Sequence, residues 1–480
     1  MATEIEVEKY RNQREEVKRL FLHGLAAVAP EKIIRSAVTS EDNVLTICDR
    51  SYTLTDDRRV WVFGSGKAAG RMALELEQIL GTIIYDGIVI CPYGLKTATR
   101  RIQQFEAAHP VPDLNSLTAT YELLDVASNV HEGDLVIYLL SGGTSSLLFM
   151  PHNKLDMEDV RALQRHLLVC GADIHDINRI RKSLSQVKGG KLRKVFGRAI
   201  VEMLAISDVP GNDPAVIGSG PLVDDPVSPG EALELLYKHK MDEKIPPSII
   251  KFLESEQRDA SSGESSIKQF STSVASSVHN DVNAEKKNKV NLQDKTPGDM
   301  PGFKTYVNIL ASAEKVAEAI KYGAISLGYH AHVTERFLTG EARKVAQQIV
   351  EEGVNVLVKD FPVSKPAALI WYGETTVTVK GKGKGGRNQE LALSAVLSLE
   401  GRHYITLLSG GTDGRDGETN AAGAICNGQS AIDARNAGYV PESYLENNDS
   451  WHFFKYTDGL LVTGVTGNNL MDIQIMLIEP

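Results

Sequence analysis

The stretch RRVWVFGSGKAAGRMALELEQIL, residues 58–80, begins with an apolar run and breaks at Gly64-Ser65-Gly66. It then continues with apolar residues spaced as on one face of a helix. A strand that ends in small residues and feeds a helix is the building unit of parallel sheets covered on both faces. The theme recurs at DGIVICPYG (86–94), DLVIYLLSGG (134–143) and RAIVEMLAISDVPGND (198–213). The C-terminal half repeats it, with PAALIWYGETTVTV (366–379) as strands, RNQELALSAVLSL (387–399) as a helix and HYITLLSGG (403–411) as a strand. The pattern predicts an α/β chain with two α/β domains and largely parallel, Rossmann-like sheets. In such sheets ligands lie beyond the carboxyl ends of the strands.

A chain of 480 residues exceeds one ordinary domain. Its net charge of −10 argues against a nucleic-acid partner, so basic loops are read as local anion sites. Cys48, Cys91, Cys170 and Cys426 are scattered, without the spacing of a metal site, and fit free thiols in a reducing compartment. The first residues carry acids from position 4, matching neither a secretory signal nor a transit peptide, and no apolar run approaches membrane-spanning length. The expectation is a cytoplasmic protein without a membrane partner. Residues 255–300, rich in Ser, Asn, Lys and acids and nearly free of aromatics, are expected to be a disordered insertion or linker.

Several loops carry chemistry. GSGKAAG (64–70) lacks the spacing of a Walker A loop, yet puts Lys67 at a helix start among small residues. A lysine there opposes the helix dipole unless an anion is bound; the competing reading is a solvated loop lysine. LLSGGT occurs at 139–144 and again at 407–412. Each copy is either an oxyanion-holding turn or a plain tight turn. AHPVPDLNS (108–116) reads foremost as a stiff turn with a helix N-cap at Asn115 or Ser116, though it also carries His109. NRIRKSLSQVKGGKL (178–192) is a basic helical stretch, either a solvated face or an anion-facing one. SDVPGNDPAVIGSGP (207–221) offers Asp208, Asn212 and Asp213 in a Gly/Pro loop, suited to a metal, to a substrate hydroxyl, or only to turns. SGGTDGRDGETNAAGA (409–424) offers Asp413 and Asp416 as magnesium candidates.

KGKGKGGRNQE (380–390) has the G-x-G-x-x-G spacing of a dinucleotide loop and sits between strand and helix. A ribose-binding acid is missing from the end of the following strand, which closes in Ser409-Gly410-Gly411. Lys380, Lys382, Lys384 and Arg387 suit a triphosphate better than a dinucleotide. Arg387 has the fork to span two phosphate oxygens.

Together GSGKAAGRMA, HPVPD, LLSGGTSSLL, NRIRKSLSQVKGGKL, ISDVPGNDPAVIGSGP, GETTVTVKGKGKGGRNQELAL and TDGRDGETNAAGA resemble the class II glycerate kinases, whose C-terminal half carries a MOFRL domain. The resemblance covers nearly the whole chain outside the 255–300 insert. It implies a Rossmann-like N-terminal domain over 8–254 and a C-terminal α/β domain over 303–478 with its MOFRL core about 366–475. It also implies phosphorylation of D-glycerate by ATP and Mg²⁺ in an interdomain cleft. Carried over position by position, it makes Lys67 and Arg387 active-site residues. Asp208 joins them as a catalytic candidate. Phosphate-binding candidates are Ser65, Gly66, Ser141, Gly142, Gly143, Thr144 and Ser145, with Lys382, Gly383, Gly385 and Gly386. Arg181, Lys182, Asn212 and Asp213 are substrate-binding candidates, and Asp413 and Asp416 metal candidates. Glu418 and Asn420 depart from the family's usual proline and acid, and Tyr372 replaces a glycine. The alternative activity is an NAD(P)H-dependent hydroxypyruvate reductase; a non-catalytic sensor is a third reading. The sequence leaves room for a homo-oligomer.

Overall fold

The structure is a computed structural model that describes residues 4–261 and 304–479. The chain divides into two compact units, Ile34–Ile206 with Asn212–Ile309, and Met1–Ile33 with Ser207–Gly211 and Leu310–Pro480. Among the described residues no helix is long and apolar enough to cross a membrane.

The first unit starts with a small antiparallel sheet of β1 (Val38–Glu41), β2 (Val44–Ile47) and β3 (Arg50–Thr53). A six-stranded sheet follows, built of β4 (Val60–Ser65), β5 (Ile84–Pro92), β6 (Ile102–Ala107), β7 (Leu135–Leu140), β8 (Ile200–Ile206) and β9 (Thr305–Ala311). Its order is β6-β5-β4-β7-β8-β9, and the strands from β6 to β8 are parallel. Every residue of β4 and β7 is buried, as the unbroken apolar runs predict. Phe63 packs between Trp61 and Phe196 with no exposed surface, a burial worth about 1.5–3 kcal/mol. The chain moves outward from β4 to β6, then returns to β7 on the other flank of β4. The topological switch therefore falls between β4 and β7, where ligands of such sheets bind.

A second core, with Phe149, Leu163, Leu236 and Phe252, gathers the helices Met157–Leu167, Ile174–Ser183, Pro229–Lys238 and Pro247–Ser261. The last helix shortens the expected insert. Ile249, Phe252 and Leu253 anchor it to that core, and it continues through residues 255–261. Residues 262–300 of the expected insert lie outside the described residues.

The other unit holds a seven-stranded sheet of β10 (His330–Val333), β11 (Leu338–Glu341), β12 (Ala367–Thr376), β13 (Ile405–Gly411), β14 (Gly423–Asn427), β15 (Leu460–Leu461) and β16 (Asp472–Ile478). β10 and β11 run parallel to β12, but β16 lies antiparallel between β12 and β13, and β14 and β15 continue the antiparallel pairing. Here the sheet is mixed, unlike the largely parallel expectation. β16 arrives through residues 462–471 with no crossover helix, and parallel pairing needs such a crossover.

Helix Glu4–Ala27 also belongs to this unit, not to the N-terminal half in which the sequence placed it from residue 8. Gly24 makes the packing close, since a Cβ there would stand 2.6 Å from Ile320 Cγ1 on the helix Ala313–Ser326. Tyr10 and Gln13 add hydrogen bonds to His403 and Thr406, at 3.1 and 2.8 Å.

Candidate active site

The switch point between β4 and β7 brings GSGK and SGGT together. Lys67 N–H donates to Gly142 O at 2.9 Å, and Ala68 N–H to Ser141 Oγ at 3.0 Å. Thr144 Oγ donates to the carbonyls of Ser65 and Ser141, and Ser65 Oγ pairs with Tyr138 OH at 3.0 Å. Ser65, Ser141 and Thr144 are buried, so their hydroxyls tie the two loops together. Gly66, at φ 131°, would carry a Cβ 2.1 Å from Ser141 Oγ, so only glycine fits this turn. Gly143 takes the left-handed conformation at φ 92°. Among the described residues the N–H groups of Gly142, Gly143, Thr144 and Ser145 have no acceptor. Four successive free amides form a concavity for an anionic oxygen.

The second copy of the repeat behaves differently. Residues 405–411 are a fully buried strand, Gly411 N–H donates to Ala422 O, and Thr412 N–H donates to Met471 O. Only the first SGGT offers free amides.

Cations gather around that concavity. A Cβ on Gly143 would stand 3.0 Å from His109 Cδ2 and 3.4 Å from Lys67 Cγ, so the imidazole and the lysine stem flank it. The His109 ring is open to solvent at its edge; crowding by protein, with the charges of Lys67 and Arg181, pushes it down to about 4 and keeps it neutral. Arg181 is half-buried, hydrogen-bonded among the described residues to Gln164 Oε1 at 2.9 Å, and pushed down to about 10 by burial. Lys188, fully buried, donates to Leu148 O at 2.7 Å. Among the described residues neither the Lys67 ammonium nor these two cations has a carboxylate partner. Cations near one another without acids are what an anion site requires.

The remaining candidates of this region divide. Lys182 is buried and ion-paired with Asp225, which removes it from the substrate group; its helix is neither a solvated face nor wholly anion-facing. Ser145 Oγ bonds Ser219 Oγ at 2.8 Å, and Gly218 presses on Thr144, so the loop 217–220 supports the concavity from behind. Asp213 Oδ1 accepts from Ala215 N–H at 2.9 Å and shapes a turn, and Asn212 sits beside it at φ 55°. Asp208 is half-buried just past β8. The helix Leu114–Ala127 is capped by Asp113 in a capping box with Ser116, not at Asn115 or Ser116 as expected.

In the other unit the glycine-rich loop is a strap. Lys380 and Gly381 N–H donate to Asn448 Oδ1 at 2.8 and 3.0 Å, Lys382 N–H to Asn447 Oδ1 at 3.1 Å, Gly383 N–H to Asn447 O at 2.9 Å and Lys384 N–H to Asp449 Oδ1 at 2.9 Å. The amides that a phosphate cradle needs are therefore taken by residues 447–449. Gly383 and Gly385 are small because Asp449 and Ser450 lie 2.4 and 2.2 Å from where their Cβ atoms would be. Gly386 meets Asp416 in the same way, at 2.3 Å. Lys382 keeps an exposed side chain.

Asp416 is a buried helix cap. Its oxygens accept from the N–H groups of Asn388 and Gln389 at 3.1 and 2.8 Å and from the Gln389 side chain at 3.0 Å. Those donors occupy the lone pairs a metal would use, so the metal expectation for Asp416 gives way to a capping role. Asp413 is half-buried and accepts from Arg415 N–H at 3.0 Å. Among the described residues no three His, Cys, Asp or Glu side chains converge on a metal position. Arg387, expected to face phosphates, is instead gripped by Asp472 and paired with Glu374. Sequence reasoning missed Asp472 and the 447–449 turn because both are remote in the chain, and it gave Glu374, 13 residues before Arg387, no role. It passed over His109 because a proline-rich loop explains a histidine without chemistry.

The first unit thus defines an α/β protein with a loop of free amides at the switch point of a parallel sheet. Residues 16–254 match the model of a domain of unknown function, DUF4147, and residues 367–472 match the MOFRL family. D-glycerate 2-kinase of Thermotoga maritima is 38% identical over 421 residues, covering 88% of this chain and 91% of the relative. A putative hydroxypyruvate reductase of Agrobacterium vitis is 34% identical over 422 residues, covering 88% and 99%. A crystal structure of glycerate kinase from Thermotoga maritima superposes with a TM-score of 0.79 at 33% identity, covering 98% of this chain and 100% of that one. The chain belongs to the glycerate kinase family with a C-terminal MOFRL domain.

Proposed function

We propose that this chain is a glycerate kinase that transfers the terminal phosphoryl group of ATP to D-glycerate, with 2-phosphoglycerate as the favoured product. The observation that carries this reading is that Lys67 and neutral His109 flank the free amides of Gly142–Ser145, with Arg181 near enough for its charge to act on His109 and no carboxylate among them. Glycerate brings a carboxylate, and the reaction moves a phosphoryl group whose charge must be held in place. The amides and Lys67 hold the phosphoryl oxygens. The Arg181 fork takes the carboxylate. His109, neutral, has a ring nitrogen to receive the proton of the attacking hydroxyl. Asp208 remains a second candidate for orienting that hydroxyl. Mg²⁺ accompanies ATP in this reading, and no step is assigned to it because Asp413 and Asp416 form no common ligand set.

The reductase reading has support in the names of two relatives, but it needs the amides of the glycine loop for a pyrophosphate, and Asn447, Asn448 and Asp449 hold those of residues 380–384. One pair of assays decides. With D-glycerate and ATP, ADP release and a phosphomonoester resonance by phosphorus NMR are expected, and the resonance assigns the hydroxyl. NADH oxidation by hydroxypyruvate without phosphoryl transfer overturns the proposal.

A further inference from the structure

The unit containing the MOFRL segment has a cavity of about 510 Å³, well within the range of ligand pockets. One wall is Trp451. The chain has three tryptophans, of which Trp61 and Trp371 are fully buried, while Trp451 is half-buried and faces this cavity. Its indole N–H donates to Asn420 Oδ1 at 3.2 Å, which fixes the plane of the ring. Lys384 and Lys455 hold their ammonium groups 4.5 and 4.9 Å from the ring centroid. The strap prebuilds this pairing, because Trp451 N–H donates to Lys384 O at 2.8 Å. Arg415 lines the same cavity, and among the described residues its guanidinium has no acidic partner. Glu418 adds an exposed acceptor. Gly414, at φ 82° and with Gly464 O only 1.9 Å from where a Cβ would stand, lets two loops close the floor.

A flat, fixed aromatic wall, the exposed cations Lys384 and Arg415 and an acceptor form a combination that fits a planar heterocycle with an anionic tail. We propose that this cavity binds a nucleotide, with the base stacked on Trp451 and the phosphates on Lys384 and Arg415. The assignment rests on the kinase reading only for the identity of the nucleotide as substrate. The base replaces Lys384 on the indole face, and the freed ammonium follows the phosphates. This gives the basic loop its use: its amides are committed to the strap, and its lysine side chains carry the charge.

Calorimetric titration of the full chain tests the assignment, with ADP, adenosine and tripolyphosphate as probes. Trp451→Ala is expected to weaken ADP and adenosine by about tenfold or more, and Trp451→Phe, which keeps a ring, to retain most of the affinity. Lys384→Ala with Arg415→Ala is expected to weaken ADP and tripolyphosphate while sparing adenosine. These side chains are exposed, so the double variant reports on binding even if Trp451→Ala melts early. ADP affinity within about twofold of wild type in the double variant, or in a folded Trp451→Ala protein, overturns the assignment. Kinase assays on the same proteins keep the two readings apart. Glycerate phosphorylation with an unchanged KM for ATP in the double variant sinks the cavity and leaves the kinase. ADP binding that depends on Trp451, in a protein that phosphorylates no glycerate, sinks the kinase and leaves the cavity.

Discussion

Arg387 grips Asp472 with both arms of its guanidinium, Nε 2.6 Å from one carboxylate oxygen and Nη2 3.0 Å from the other. Asp472 is 1% exposed and opens β16, the strand at the centre of its sheet. Burial drives the Asp472 carboxyl upward and the Arg387 charge holds it back. The arginine that family resemblance places in an active site is therefore also the counter-ion of a buried acid. Arg387→Ala is expected to cost about 3–5 kcal/mol of stability by stranding that acid. Urea unfolding measures it, and Arg387→Ala with Asp472→Asn should recover part of the loss. An unchanged midpoint in the single variant would show that the pair does not bear on the fold.

Lys67 presents the opposite case. Among the described residues its ammonium has no carboxylate partner to strand, and its stem lies against Gly143. Lys67→Ala should leave the melting temperature near wild type while kcat falls by about 10²–10⁴-fold, the scale of losing one charge stabiliser in a transition state. Steady-state kinetics beside a melting curve checks both halves; near-normal turnover removes Lys67 from the chemistry.

Gly386→Ala separates a strap from a cradle. The new methyl would overlap Asp416 Cγ and its carbonyl carbon, at 2.3 and 2.4 Å, so the helix cap must shift. A loss of about 3 kcal/mol or more is expected without any nucleotide present. If the loop served only to hold phosphate, the ligand-free protein would melt unchanged.

Lys188 makes stability depend on pH in a definite direction. Burial, with Arg181 and Lys191 nearby, pushes its ammonium down to about 7. Between about 7 and the unfolded lysine value of about 10.4 the unfolded chain holds the extra proton. Stability from this group therefore rises with pH across that window, and below it the full cost of burying the charge is carried. Lys188→Met should flatten the gain in urea midpoint between about pH 6 and about pH 9. Equal gains in variant and wild type would contradict the assignment.

The first sheet was legible because β4, β5, β7 and β8 are buried on both faces, and a strand wet on neither face reads as an apolar run. Lys67 and Ser141–Ser145 were legible because both loops end buried strands within one short segment each. The second sheet was less so. DIQIMLI announces a strand, but pairing direction is set by neighbours 61 to 111 residues earlier in the chain. Asp416 and Arg387 show the same limit. A carboxylate in a glycine loop looks like a metal ligand until the helix that it caps is seen. A glycine spacing signals close approach, and here what approaches is the turn at 447–450.

The position of helix Glu4–Ala27 has a consequence for how this protein is made. It leaves the ribosome well before its packing partners, Ala313–Ser326, β13 and β16, all of which lie far downstream. At about 5–20 residues per second, Val17, Leu20 and Phe21 wait roughly fifteen seconds to a minute for the first of these partners and roughly half a minute to a minute and a half for the last. Vectorial synthesis cannot finish the unit to which this helix belongs until the final strand is released. The nascent chain must therefore carry an unpartnered amphipathic helix through most of translation, and a premature stop before Ala313 leaves that helix with none of these partners.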